Sequence, residues 1–427
     1  MSEWIDITLE EVATIQIGGT PTRAISSYWS NEYGSGFPWV SIADLKHSVV
    51  TETKERITER GIKNSNTKLI NKGTLIMSFK LSIGRVAMTG IDLFTNEAIA
   101  AIIPKDNRID SNLLYYILPV ATQKAVTDTA VKGATLNKSS LGKLCLRVPS
   151  EPRQQEKIAE ILQTVDRAIA HTEALIEKYQ QIKAGLMHDL FTRGIGADGK
   201  LRPTREEAPE LYQESAIGWI PREWEIKYCS DLCTRICVGI VIKPAQYYVE
   251  DGIPAFRSAN IREDGIDPDN LVYISPESNK LLAKSQVKEG DILSVRTGYP
   301  GTSAVVPEEF SGVNCVDILI STPGHRISSQ YLCYWVNSSF GKEQVLRQQG
   351  GMAQQHFNVA EMRQLLVGLP SVREQNLVVD KLAVCDRKIE AEKETLAKLN
   401  KQKSGLMHDL LTGKVPVKVN PDEVDRI

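Results

Sequence analysis

Lys183-Ala184-Gly185-Leu186-Met187-His188-Asp189-Leu190-Phe191-Thr192 reappears near the C-terminus as Lys403-Ser404-Gly405-Leu406-Met407-His408-Asp409-Leu410-Leu411-Thr412. The copies lie 220 residues apart (403 against 183), and Asp166-Arg167 recurs at the same distance as Asp386-Arg387. In a chain of 427 residues, a repeat this long means two domain-sized units and not a solenoid. Each copy closes a heptad run. Ile158, Val165, Thr172, Tyr179 and Leu186 fall seven apart, interleaved with Leu162, Ile169, Ile176, Lys183 and Leu190. Val378, Cys385, Glu392, Leu399 and Leu406, with Leu382, Ile389, Leu396, Lys403 and Leu410, repeat that seam. Alternation of four and three is the a/d pattern of a helix with one apolar stripe. Pro149 and Pro152 precede the first run and Gly194 and Gly196 follow it, as helix ends require. About 39 helical residues would make a rod of roughly 58 Å.

A lone heptad helix cannot bury its stripe, so two with matched registers most simply bury each other. A whole globule separates them, which lets the chain return and pair them antiparallel. The expected class is α+β: two α/β globules separated by a pair of long antiparallel coiled-coil helices, with an internal pseudo-twofold repeat. The expected boundaries are a globule at 1–148, a helix at 149–195, a linker at 196–214, a second globule at 215–369, a second helix at 370–413 and a tail at 414–427. Within the first globule, Phe37–Ile42, Thr74–Phe79 and Ala98–Ile103 read as strands and Leu113–Leu118 as a short buried helix. Glu223-Trp224 echoes Glu3-Trp4, and Gly290-Asp291-Ile292-Leu293 echoes Gly73-Thr74-Leu75-Ile76. The loops between such anchors differ, as expected of two related surfaces that read different targets.

Composition sets outer bounds. No apolar run approaches membrane-spanning length, and the N-terminus lacks the basic and apolar regions of a signal peptide. Seven scattered cysteines fit a reducing cytoplasm. Cys229, Cys233 and Cys237 sit four apart without a nearby His or second Cys pair, so no metal site is expected. A net charge of −2 gives no electrostatic sign of a nucleic-acid partner. No Gly-rich loop for S-adenosylmethionine, Asn-Pro-Pro-aromatic motif, P-loop or nuclease-like acidic cluster stands out, which argues against a self-sufficient enzyme.

With Gly18-Gly19-Thr20-Pro21, Tyr28-Trp29, Phe37-Pro38-Trp39-Val40-Ser41 with Asp44, and Ile217-Gly218-Trp219-Ile220-Pro221-Arg222-Glu223-Trp224, the chain resembles the specificity subunits of type I restriction-modification systems. The two Gly-Leu-Met-His-Asp-Leu copies after heptad helices complete the resemblance, which covers nearly the whole chain. It implies a non-catalytic DNA-binding subunit for antiphage defence with two target recognition domains, each reading half of a bipartite, asymmetric sequence. The helices would set the spacer and dock two methyltransferase subunits, and restriction subunits are admitted as further partners. S-adenosylmethionine is expected in the partner methyltransferase, with no cofactor on this chain. Those partners would also supply much of the phosphate clamp, which accommodates the modest net charge. The alternative is a helical scaffold joining protein partners in a defence complex without sequence readout of its own.

Candidate DNA contacts follow from side-chain chemistry. Lys80, Ser82 and Arg85 leave an apolar run into a turn, and Arg296, Thr297 and Tyr299 hold the equivalent place. Arg and Lys reach guanine O6/N7 or phosphate, and Ser and Thr pair with either. Thr135, Asn137 and Lys138, and Gln354, Gln355 and His356, precede the closing strands, where Asn and Gln could pair adenine N6/N7. Arg257 and Asn260 form a further candidate. Trp39 reads as core and not as a base-stacking platform. Leu186, Met187, His188 and Asp189, with Leu406, Met407, His408 and Asp409, are expected at subunit contacts, and Lys183 and Lys403 at bundle rims or a subunit contact.

Overall fold

The computed structural model describes residues 3–30, 35–128, 136–348 and 356–418, which fall into two units: Met1–His171 with Thr395–Ile427, and Thr172–Glu394. In the first unit the 74–79 run becomes the strand Leu75–Ser78, central in a five-stranded sheet. Its order is Ala13–Ile17, Ile99–Pro104, Leu75–Ser78, Val86–Thr89 and Val49–Val50. Period-two alternation splits this strand between two cores. Leu75 and Met77 join the cluster that holds the helix Ser111–Asp128, while Ile76 faces Val40, Ile99 and Ala101. Full burial of each such side chain contributes about 1.5–3 kcal/mol. A four-stranded sheet containing Phe37–Val40 buries Trp39, whose Nε1 donates to the Gly19 carbonyl at 3.0 Å. Trp39 is core.

The second unit repeats this plan. A four-stranded sheet runs Cys233–Val238, Ile318–Pro323, Ile292–Val295, Ser303–Val305, and another is centred on Val272–Ile274 and Ile253–Phe256. Both units close with an antiparallel pair, Trp4–Thr8 on Cys145–Pro149 and Glu225–Tyr228 on Leu366–Leu369. The short helix expected at 113–118 runs from Ser111 to Asp128 with Pro119 inside it, where local rules alone argue for a stop. The stretch 196–214, expected as a linker or surface loop, is built into the second unit. Ala208, Tyr212 and Arg202 are buried, and Tyr212–Ser215 pairs with Gly218–Pro221.

The long helices span Pro152–Arg193 and Val372–Leu411. All twenty seam positions named above are buried or half-buried, as one apolar stripe requires. Within the first unit Ile158 and Leu162 share a core with Leu406 and Leu410, and Asp166 meets Lys403 at 2.6 Å. Within the second, Leu186 and Leu190 share a core with Val378 and Leu382, and Lys183 meets Asp386 at 2.5 Å. In each unit the partner number falls as the first helix's number rises, so the paired segments are antiparallel.

Lys183 and Lys403 are therefore the cationic half of a repeated cross-helix pair, not free rims. The carboxylates also accept the hydroxyls of Tyr116 and Tyr334, and each lysine lies over the ring of the same tyrosine. Burial, then the acceptor carboxylate, pushes both phenols above their usual range, so they remain neutral donors. A second repeated device is a buried glutamine at each helix start. Gln155 donates to the Arg108 and Pro149 carbonyls and accepts from the Asp110 amide; Gln375 does the same with Arg326, Pro370 and Ser328. Backbone groups that water cannot reach are thus paired, and the helix entry is tied to the domain.

Candidate nucleic-acid interface

Lys80–Arg85 forms the loop of a β-hairpin between Leu75–Ser78 and Val86–Thr89. The Ser78 amide donates to the Arg85 carbonyl at 2.9 Å, the Gly84 amide returns to the Ser78 carbonyl at 2.9 Å, and Gly84 takes φ +85°. The second unit builds the same turn. The Val295 amide donates to the Thr302 carbonyl at 2.8 Å, the Gly301 amide to the Val295 carbonyl at 2.9 Å, and Gly301 takes φ +86°. Glycine fits there because a side chain at positive φ is strained. The frames match and the tips differ: Lys80-Leu81-Ser82-Ile83 in one, Thr297-Gly298-Tyr299-Pro300 in the other.

Not every polar candidate is free to read a base. Lys80 and Ser82 are half-buried, while Arg85 is exposed and makes no ion pair among the described residues. Arg296 is tied into the protein: it pairs with Asp317, and its Nε donates to the Phe357 carbonyl at 3.2 Å. It anchors the hairpin base through these two contacts. The Phe357 amide donates back to the Arg296 carbonyl at 2.9 Å, which brings the exposed His356 to that base. Thr297 is half-buried and Tyr299 is 83% exposed.

Asn260 is likewise engaged within the protein and is not free to read a base. It is 1% exposed, its Nδ2 donates to the Asp267 and Asp269 carbonyls, and its Oδ1 accepts from the Arg257 amide. All its bonding atoms hold the loop together. Arg257 donates to the Asn270 carbonyl at 2.7 Å, again within the loop. That loop and the hairpin nevertheless meet, since Ser258, Arg262, Thr297 and Tyr299 line one recess of about 340 Å³.

Asn137 caps the helix Lys138–Gly142, its Oδ1 accepting from the Ser140 amide at 2.9 Å, and Asn358 caps Val359–Gln364 at the corresponding place. An N-cap side chain satisfies an amide that the helix leaves unpaired, so the Asn137 oxygen serves the fold. Lys138 is exposed. Thr135, Gln354 and Gln355 lie outside the described residues.

The repeated helix-end segments divide by burial. Leu186 and Met187 pack into the second unit's core, and Leu406 and Met407 against the first's. They seal a helix onto its domain, which explains their duplication without a partner. His188 and His408 are exposed, and the His188 ring stacks over Phe340 at 6.4 Å. Asp189 and Asp409 are half-buried, with Asp409 lying 3.8 Å from Lys414. The glutamine clamps and the tyrosines escaped sequence reasoning. Gln155 and Gln375 stand 220 apart like the repeat itself, which was the available signal. The Cys229 and Cys233 sulfurs lie 3.6 Å apart, and no cluster of three or more potential ligands occurs among the described residues. No helix is long and apolar enough to cross a membrane among those residues.

A family model described as the type I restriction modification DNA specificity domain matches residues 1–181 and again 221–401. The type I restriction enzyme MjaIX specificity subunit of Methanocaldococcus jannaschii is 25% identical over 330 residues, covering 75% of this chain and 73% of the relative. The EcoBI specificity subunit of Escherichia coli is 22% identical over 450 residues, covering 99% and 89%. The crystal structure of the type I restriction-modification S subunit from M. genitalium shares the fold, with a TM-score of 0.58 at 15% identity over 96% of each chain. Matched once in each of its two repeats, the chain belongs to the type I restriction-modification DNA specificity family, whose members are non-catalytic DNA-recognition subunits.

Proposed function

We propose that each unit reads one half of a split, asymmetric DNA target on behalf of methyltransferase subunits docked on the same chain. The observation that carries this reading is the pair of hairpins with one backbone frame and two different tips. A two-stranded β-ribbon fits the major groove, where each base pair displays its own donors, acceptors and methyl group. Unequal tips then mean unequal half-sites. Arg85 and Lys138 are exposed cations that suit phosphate or guanine, Tyr299 is an exposed polar ring at the second tip, and His356 is an exposed one beside that hairpin's base. The methyltransferase partners bring S-adenosylmethionine and flip the target adenine, because a stacked base is out of their reach. Restriction subunits complete the complex where cleavage accompanies methylation, in the cytoplasm.

The direct test replaces residues 215–369 with the matching stretch of a relative and maps methyladenine in cells that co-express the methyltransferase subunit. One half of the motif is expected to change while the other half and the gap stay constant. Alteration of both halves, or of neither, would sink the two-reader assignment.

In this reading the long helices set the gap between halves. A heptad inserted into both helices, between residues 166 and 183 in one and 386 and 403 in the other, leaves each unit's own Asp–Lys pair intact. Seven residues add about 10.5 Å, so the spacer is expected to grow by about 3 base pairs at roughly 3.4 Å each. An unchanged spacer in the methylation map would remove the ruler role.

A further inference from the structure

Leu81 stands at the tip of the first hairpin with φ +60° and 87% of its surface exposed. Both properties are unfavourable for leucine. The left-handed region crowds its Cβ against the backbone, and an exposed isobutyl group gains nothing from burial. The second hairpin shows what the turn itself requires: Gly298, at the same place, takes φ +86° without a side chain. Nothing in the turn's hydrogen bonding calls for leucine. The frame is held by Ser78, whose Oγ donates to the Ser82 carbonyl and accepts from the Arg85 amide at 3.1 Å.

The surroundings indicate what the side chain meets. Lys80 precedes it, Arg85 ends the same loop, and Phe79–Arg85 contains no acidic residue. A cationic ribbon suits the polyanionic duplex, and the major groove, about 12 Å wide, admits two strands. The apolar group that base edges display there is the thymine 5-methyl. We propose that Leu81 is a specificity-determining residue that reads a thymine 5-methyl group in the half-site of the first unit. This rests on the reading of that unit as a DNA reader and names the base feature its tip recognises.

The test uses the assembled complex of full chain and methyltransferase subunits, titrated with duplexes carrying its mapped motif. Each thymine of the half-site assigned to residues 1–148 is replaced in turn by deoxyuridine, which removes only the methyl group. At one position wild-type binding is expected to weaken about fourfold, the effect of one buried methyl. Leu81→Gly is expected to bind the thymine duplex at least about fourfold more weakly and to ignore the deoxyuridine change there. Because Leu81 packs on nothing and Gly relieves the positive φ, the variant should melt no earlier than wild type.

Wild-type binding indifferent to every replacement would overturn the proposal, as would a Leu81→Gly variant that keeps the full deoxyuridine penalty. A variant whose only defect is weaker assembly with the methyltransferase would assign Leu81 to a protein contact instead. If exchange of residues 215–369 still rewrites one half-site while Leu81→Gly changes nothing, the thymine contact falls and the two-reader reading stands. Absence of sequence-specific binding by the complex overturns both.

Discussion

Glu374→Ala is expected to lower the unfolding free energy of the second unit by about 3–5 kcal/mol, the usual effect of removing one partner from a buried ion pair. Glu374 lies in the first turn of the second long helix, where a carboxylate also favours the helix dipole. One of its oxygens accepts from Arg202 at 2.6 Å, the Ile195 amide at 2.7 Å and the Trp224 Nε1 at 3.1 Å; the other accepts from Arg202 at 3.1 Å. The Glu374 and Arg202 side chains are 9% and 8% exposed, so water offers little replacement. Burial opposes the Arg202 charge, but hydrogen bonds to Glu374 and Glu223 outweigh it and raise that guanidinium's pKa. Alanine would leave a buried cation, an amide and an indole N–H short of an acceptor. Urea titration with an unchanged slope checks the magnitude. A loss below about 1 kcal/mol would mean that solvent enters the cluster and the pair is effectively a surface one.

Trp335→Ala is expected to cost a similar amount, about 3–5 kcal/mol, through a different mechanism. The indole is fully buried and packs edge-on to Phe191 at 5.0 Å and flat on Phe340 at 5.5 Å, while its Nε1 donates to the Leu366 carbonyl at 3.0 Å. Gly368 must lack a side chain because an added Cβ would sit 2.8 Å from Trp335 and 3.0 Å from Trp224. Alanine leaves a cavity that this packed surround cannot close. Trp335→Phe keeps most of the ring contact and loses the hydrogen bond, about 1 kcal/mol. Denaturation of both variants separates the terms. Equal losses would place the energy in the hydrogen bond and contradict the cavity account.

The long helices were legible because the heptad period is a property of the chain itself. Their observed ends, 152–193 and 372–411, fall within three residues of those expected. The repeat announced the duplicated domain for the same reason. Lys183 and Lys403 were visible as exceptions in the seam, but their partners were not, since nothing local links a lysine to an aspartate on another helix. The candidate interface was half legible. An apolar run entering a polar turn located both hairpins, whereas residue type alone could not separate Arg85 from Arg296. Asp317, which claims Arg296, is brought alongside by the sheet. Asn137 and Asn260 look like base readers in sequence and serve as a cap and a loop brace in space. The 196–214 stretch looked like a linker because its Gly, Pro and charge content hides how deeply Arg202 is buried.

At the two hairpin tips the Leu81 and Tyr299 side chains stand almost wholly in solvent and carry little of the folding energy. Substitutions of these two side chains are nearly neutral for stability, while those in the glutamine clamps or the Asp–Lys–Tyr networks are not. Selection for a new target can therefore explore tip sequences without passing through unstable intermediates. The lineage can drift in what it reads while the architecture that holds the readers is purified of change.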